Sequence, residues 1–262
     1  MDNPLSADWR AYPFDLVPRD PQLCFPAAEG NHPDCESDTW FVAGELTADS
    51  GRRFAFLTIF NKNRPGLVSN RSSRAQQIVA DFYTFALFDL HNGGYGTYTD
   101  YDMPPANIRP GARPKLSVET GHLNMAYDSG AGQAVWRTCR DEQHRLMPYT
   151  YDVSLVGTDA RGDAMRLDLH MTPSRTPVPL GAATHNGKIA CFGQDGTYSY
   201  FQTRMACPEL CAGDRLRSRS PGARATSTGN DFLWSPTVAG QQATSARERT
   251  SGARSISTMT ST

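Results

Sequence analysis

The sequence predicts an all-β protein, folded as an antiparallel β-barrel or sandwich, and three observations support this fold class. Short apolar segments are separated by turn signals rich in Gly, Asn and Asp. In Asp163–Met171, apolar side chains take every second position and polar ones the positions between, as in a strand with one buried face. No segment carries a sustained helical period with capping residues.

Ten strands follow from this alternation. Their predicted boundaries are Asp38–Leu46, Arg53–Phe60, Ala80–Leu90, Tyr95–Tyr101, Leu116–Tyr127, Gln133–Cys139, Tyr149–Val156, Asp163–Met171, Gly187–Phe192 and Thr197–Met205. Leu116–Tyr127 is predicted to break near Gly121, and residues 70–79 to form one short helix. Ala80–Leu90 is apolar on both faces, which fits either a strand between an outer layer and an apolar lumen or a central strand packed on both sides.

Composition divides the chain into an irregular lead-in over residues 1–37, a β domain over 38–206 and an atypical tail over 207–262. From residue 212 onward, 17 of 51 residues are Ser or Thr. Such a segment buries too little apolar surface to offset its ordering entropy, so we expect it to be irregular or disordered. A natural linker, a shortened domain and a shifted reading frame are alternative origins for it.

The net charge of −1, from 26 basic and 27 acidic residues, argues against a nucleic-acid partner, which would require a basic excess. No apolar run is long enough for an integral membrane segment. The first residues lack the basic and apolar regions of a secretory signal, so we expect a cytoplasmic protein, with leaderless export as the alternative.

The six cysteines are expected to be reduced thiols because the chain is long and carries no signal. Cys207 and Cys211 have no second pair or nearby His, and the histidines show no metal-ligand spacing, so no metal is predicted. Nucleophile-elbow, phosphate-loop and dinucleotide motifs are absent from the sequence.

The segment His32–Leu46 contains His-Pro-Asp, a short gap, the acid Asp38, an aromatic pair beginning at Trp40, and Gly-x-Leu. It resembles the opening signature of the carotenoid 1,2-hydratase (hydroxyneurosporene synthase, AttH-like) family. Gly196–Met205 is similar to that family's Tyr-rich strand ending in Arg. The resemblance covers about residues 30–206.

This resemblance implies a lipocalin-like fold and, for some family members, hydration of acyclic carotenoids without a cofactor. The family usually has two barrel-like domains in tandem, and the tail begins where the second would start. A truncated or lost second domain would leave apolar surface on the first and favour a homodimer.

Hydrating an alkene requires an acid that stays protonated and surroundings that stabilise a carbocation. Within the matching motifs, the candidate catalytic residues are Asp38, Tyr198 and Tyr200. The candidate ligand-binding residues are His32, Trp40, Phe85 and Arg204. Alternation puts Asp38 and Trp40 on one face of their strand, and Tyr198 and Tyr200 on one face of theirs.

Each candidate also has a structural interpretation. Trp40 and the tyrosines fit a barrel core or wall, and Asp38 could cap a turn. His32 could orient the entry loop, and Arg204 could close the barrel. Three hypotheses therefore stand: an enzyme acting on an isoprenoid or polyene by acid-catalysed hydration or a related reaction, a non-catalytic protein binding an apolar small molecule, and an inactive truncated relative.

Overall fold

The structure is a computed structural model. It describes residues 25–33, 37–47, 51–63, 68–69, 77–78, 80–104, 109–173, 176–179, 188–191, 194–203, 205–207, 210–211 and 233–239. A 3-10 helical turn, Ala27–Glu29, precedes the strands. These are β1 Ser37–Thr47, β2 Arg53–Asn63, β3 Val68–Ser69, β4 Gln77–Ile78, β5 Phe82–Asp89, β6 Tyr95–Tyr101, β7 Leu116–Val118, β8 Asn124–Ser129, β9 Gly132–Arg140, β10 Leu146–Thr158, β11 Ala164–Pro173, β12 Val178–Pro179, β13 Lys188–Cys191, β14 Gln194–Thr203, β15 Met205–Ala206, β16 Leu210–Cys211 and β17 Leu233–Ala239.

Two antiparallel sheets contain nearly all of these strands. The first has the order β12-β14-β17-β1-β2-β5-β6, with β13 also paired to β14. The second has the order β15-β11-β10-β9-β8-β7, with β16 also paired to β11. Sequential hairpins such as β1–β2 and β10–β11 build most of both sheets, because short turns bring neighbouring segments together.

One apolar core lies between the two sheets. Alternate side chains of β1, including Trp40 and Val42, point into it, as do Val153 and Leu155 from β10. Buried tyrosines also join the sheets: the Tyr83 hydroxyl donates to the Val156 carbonyl at 3.0 Å, and the Tyr127 hydroxyl to the Asp100 carbonyl at 3.1 Å. The core therefore has polar cross-links that fix one sheet against the other.

The all-β prediction is confirmed, and the described ranges contain no α-helix. The break near Gly121 is present between β7 and β8, with Gly121 at φ +94°. The helix predicted over residues 70–79 is wrong at Gln77–Ile78, which pair with Val68–Ser69, because ladder hydrogen bonds outweigh a weak local preference. The rest of that predicted helix lies outside the described residues.

The aromatic strand β5 has one buried face and one more exposed face. Tyr83, Phe85 and Leu87 point into the core. On the other face, Phe88 is 37% exposed and stacks against Tyr95 of β6 at 6.3 Å between ring centroids. Cross-strand aromatic pairs, a common stabiliser of exposed sheet faces, thus account for its second apolar face.

Within the tail, residues 233–239 form β17. This strand lies between β1 and β14 and pairs with both. Two open strand edges present unpaired backbone donors and acceptors, so they can recruit a segment whose composition alone gives little strand signal.

Candidate active site

The lead-in residues 25–33 pack over one end of the core. The Trp40 indole N–H donates to the Glu29 carbonyl at 2.9 Å, and the Asn31 backbone N–H donates to the Glu119 carbonyl at 2.8 Å. Phe25, Ala28 and Glu29 are buried as a result. This segment therefore belongs to the core rather than to an irregular surface.

The carboxyl group of Glu29 is fully buried. The Tyr151 hydroxyl donates to its Oε1 atom, whereas Oε2 has no hydrogen-bond partner among the described residues. Burial raises the pKa of Glu29 to about 8, and the Tyr151 hydrogen bond only partly opposes this. At neutral pH the group is thus mainly a neutral acid, which can donate a proton.

Further aromatic rings lie close to Tyr151, the hydrogen-bond partner of this acid. The Phe25 ring makes edge-to-face contacts with Tyr149 and Tyr200, at centroid distances of 5.4 Å and 4.9 Å. Burial, reinforced by the neighbouring Glu29 and Tyr200, raises the pKa of Tyr151 well above its ordinary value. Tyr151 therefore stays protonated and remains a hydrogen-bond donor to Glu29.

A local irregularity of β10 places two of these tyrosines. The pairing register with β9 shifts between Leu146 and Tyr151, and Tyr149 has a φ of 51°. A positive φ is unfavourable for a bulky side chain. Strained residues and bulges of this kind concentrate at functional sites, which supports the assignment of this end of the core as the candidate site.

The sequence-predicted residues Asp38, Trp40 and Tyr200 all point inward and are at most 2% exposed. Two contacts join Asp38 to the lead-in. The His32 backbone N–H donates to Asp38 Oδ2 at 2.9 Å, and His32 Nδ1 lies 3.1 Å from Asp38 Oδ1. This geometry makes Asp38 and His32 an anchor for the lead-in that carries Glu29.

Phe85, in β5, is fully buried in the core. The side chain of Tyr198 and the whole of Arg204 lie outside the described residues. Their functional assignments stay predictions. The structure thus brings together Trp40, Tyr200 and the His32–Asp38 pair, all close to the lead-in.

Sequence reasoning missed Glu29 and Tyr151, which are 122 positions apart. The available signal was weak: Glu29 follows Phe25-Pro-Ala-Ala, an apolar stretch that is unusual for a solvent-exposed loop. An acid beside such a stretch is a candidate for burial.

A cavity of about 610 Å³ lies at the other end of the sheets, between three hairpins. Its lining includes the apolar residues Phe54, Leu87 and Met165, together with Tyr95 and ion-paired residues. Arg52 pairs with Asp89 there and lowers the pKa of Asp89 to about 2. This cavity could hold a small molecule with a mainly apolar body.

Comparison with known proteins supports the fold. No family model matches the sequence, and no curated protein matches it either. Among solved structures, the chain is similar to a Nitrosomonas europaea protein provisionally assigned as AttH (NE1406), with a TM-score of 0.53 and 18% identity over 87% of this chain. The molecule therefore has the lipocalin-like β fold of that structure.

Kievitone hydratase from Nectria haematococca is a second similar structure, with a TM-score of 0.46 and 12% identity over 82% of this chain. The chain spans 58% of the length of the Nitrosomonas protein and 52% of the length of the hydratase. In the part of the chain that the structure describes, no helix has the length and apolar character needed to cross a membrane.

Proposed function

We propose that this protein acts on an apolar alkene of the isoprenoid or polyene class by acid-catalysed hydration or a related reaction, with Glu29 as the proton donor. One observation carries the proposal: a fully buried carboxyl group has a pKa raised to about 8, and one of its oxygens has no hydrogen-bond partner among the described residues. General acids that work near neutral pH have pKa values in this range.

The reaction follows from the surroundings of Glu29. Glu29 transfers its proton to one alkene carbon, which leaves a carbocation on the other. The rings of Phe25, Tyr149 and Tyr200 can stabilise the cation when the substrate lies against their π-faces. A water molecule then adds to the cation and returns a proton to the Glu29 carboxylate, so that alkene and water give an alcohol.

The hydrogen bonds of the lead-in give its remaining polar groups a positioning role. Trp40 holds the backbone of Glu29, and Asp38 holds His32 three residues further on. The sequence-based catalytic roles of Asp38, Tyr198 and Tyr200, and the ligand-binding roles of Phe85 and Arg204, stay part of the proposal to be tested.

A second candidate is binding without chemistry. The cavity between the hairpins, with Phe54, Leu87 and Met165 in its wall, favours it. Strands β1, β5 and β10 run from the Glu29 end to this cavity, so a ligand held there would not contact Glu29. The two candidates therefore differ in which end of the fold the ligand occupies.

The test is to incubate the full chain with an acyclic isoprenoid polyene in ¹⁸O-labelled water and to detect the labelled alcohol by mass spectrometry. Glu29→Gln should lower the rate by about 100-fold or more, the usual contribution of a general acid. Glu142→Gln, which changes an exposed carboxyl group, is the matched control and should leave the rate unchanged.

Two further variants separate the alternatives. Asp38→Asn tests the sequence-based assignment of Asp38 as the acid. If Asp38→Asn is inactive and Glu29→Gln is fully active, Asp38 rather than Glu29 is the proton donor. Tyr95→Ala alters the opening of the hairpin cavity. A wild-type chain that retains the polyene but forms no alcohol, and loses the polyene on Tyr95→Ala, would support the binding protein instead.

A further inference from the structure

Three potential metal ligands converge on the outer face of the second sheet. Cys139 lies on β9, Asp152 on β10 and His170 on β11, and Asp152 and His170 are direct partners in the strand register. The Sγ, carboxylate O and imidazole N atoms all lie within 4.8 Å of one another. They come together because adjacent antiparallel strands align side chains on the same face.

We propose that Cys139, Asp152 and His170 bind a divalent transition metal ion of the zinc class through three protein ligands. A thiolate sulfur, an imidazole nitrogen and a carboxylate oxygen are the ligands that Zn²⁺ takes in proteins. Hard ions such as Mg²⁺ and Ca²⁺ prefer all-oxygen sets, so this mixed set favours a softer ion.

The distances are close to those of a tetrahedral site. His170 Nδ1 lies 3.8 Å from Cys139 Sγ and 2.9 Å from Asp152 Oδ1. With zinc–ligand bonds of about 2.0–2.3 Å, tetrahedral ligands are roughly 3.3–3.6 Å apart. Small rotations of two side chains would therefore suffice. His170 and Asp152 are 40% and 43% exposed, so such rotations meet little packing resistance.

The same nitrogen of His170 faces both Cys139 and Asp152. In a catalytic triad, by contrast, the nucleophile and the acid contact opposite nitrogens of the imidazole ring. The arrangement here directs three donor atoms toward one point, which suits a shared ion better than a proton relay.

The surroundings would support a bound ion. Arg137 Nη2 lies 3.5 Å from Asp152 Oδ2, so it contacts the carboxylate oxygen other than the one facing His170 and can orient that carboxylate. A shallow cavity of about 340 Å³ lies next to two of the three ligands, and its lining includes Arg137, Asp152 and His170. It leaves room for water or a small anion at a fourth coordination position.

The ordinary alternative is a His170–Asp152 ion pair with a neighbouring thiol and no ion. It predicts no metal affinity at this face. The metal-site hypothesis instead predicts a sulfur–metal bond that is lost when the Cys139 thiol is removed. Absorption spectroscopy detects such a bond directly.

The experiment is a titration of the full chain with Co²⁺ under reducing conditions, followed by absorption spectroscopy. We expect one equivalent to bind with a thiolate-to-cobalt charge-transfer band, and Zn²⁺ to displace it. Cys139→Ser should abolish the band, and His170→Gln should weaken binding at least 10-fold. Cys207→Ser, which changes a buried thiol elsewhere, is the control and should retain both.

Because His170 is on the surface, His170→Gln keeps the test valid if Cys139→Ser does not fold. Absence of the band in the wild-type chain, an unchanged band in a folded Cys139→Ser variant, or unchanged Co²⁺ affinity in a folded His170→Gln variant would overturn the proposal.

Discussion

At the scale of single residues, Glu29 shows how burial changes the chemistry of a carboxyl group. Its only described side-chain partner is a neutral tyrosine hydroxyl, and no described cation forms an ion pair with it within the distance of a salt bridge. Ionisation would place a charge in an aromatic, water-poor environment, so the proton is retained to higher pH. By contrast, Asp89 at the opposite end pairs with Arg52 and ionises readily.

Glu29 should make folding stability depend on pH. Its ordinary pKa of 4.5 applies to the unfolded chain, and its folded value is about 8. Between these values the folded state holds a proton that the unfolded state has lost, so stability falls as pH rises, by about 1.4 kcal/mol per pH unit at most. Below pH 4.5 Glu29 causes no loss of stability, and above about pH 8 the loss of stability that it causes is complete.

Urea unfolding at pH 5, 6.5 and 8 measures this effect. The free energy of unfolding of the wild type should fall between pH 5 and pH 8. In Glu29→Gln, where a neutral amide replaces the carboxyl group, it should change much less over the same interval. Parallel pH profiles for the two proteins would show that Glu29 does not titrate in this range.

At the scale of structural elements, the lead-in depends on a close backbone approach. A Cβ atom added to Gly30 would lie 2.8 Å from the Glu119 carbonyl oxygen and 2.9 Å from that of His122. Both are backbone atoms of the loop between β7 and β8, so neither can rotate away. Glycine at this position therefore allows the residue next to Glu29 to pack against that loop.

Gly30→Ala should destabilise the protein by about 1–3 kcal/mol, because the extra methyl group must displace backbone. Gly94→Ala is the matched control: no heavy atom lies within 4 Å of its added Cβ, and we expect a change within about 0.5 kcal/mol. Thermal and urea unfolding measure both. Equal effects would mean that the lead-in tolerates a side chain at position 30.

At the scale of the whole molecule, β17 completes the first sheet. Residues 37–43 of β1 pair with residues 233–239, and β14 pairs with the other edge of β17. Without β17, both neighbouring strands would present unpaired backbone groups.

A chain that ends at residue 211 should therefore be less stable than the full chain and should self-associate, because open strand edges pair with one another. A chain that ends at residue 240 retains β17 and serves as the control. Size-exclusion chromatography and thermal unfolding distinguish them. A monomeric, equally stable chain ending at 211 would show that β17 contributes little to the fold.

The sequence by itself determined the strands whose alternation is locally complete. β1 and β2, which alternate buried and less buried residues, begin within one residue of their predicted limits. Tyr95–Tyr101 also has the predicted limits, but it was predicted from the Asn-Gly turn before it. One buried face requires an apolar residue at every second position, and that requirement is visible in a short window. The same rule placed Asp38 and Trp40 on one face of their strand, and the structure shows that both are buried.

Only the tertiary structure decided which distant residues meet. Glu29 reaches Tyr151 because the lead-in folds over the core, and Cys139 and His170 flank Asp152 because β9 and β11 pair with β10. These contacts depend on strand register and on the free energy of packing whole segments together, which no local pattern encodes. The sequence alone therefore could not predict the buried acid Glu29 or the metal-ligand cluster.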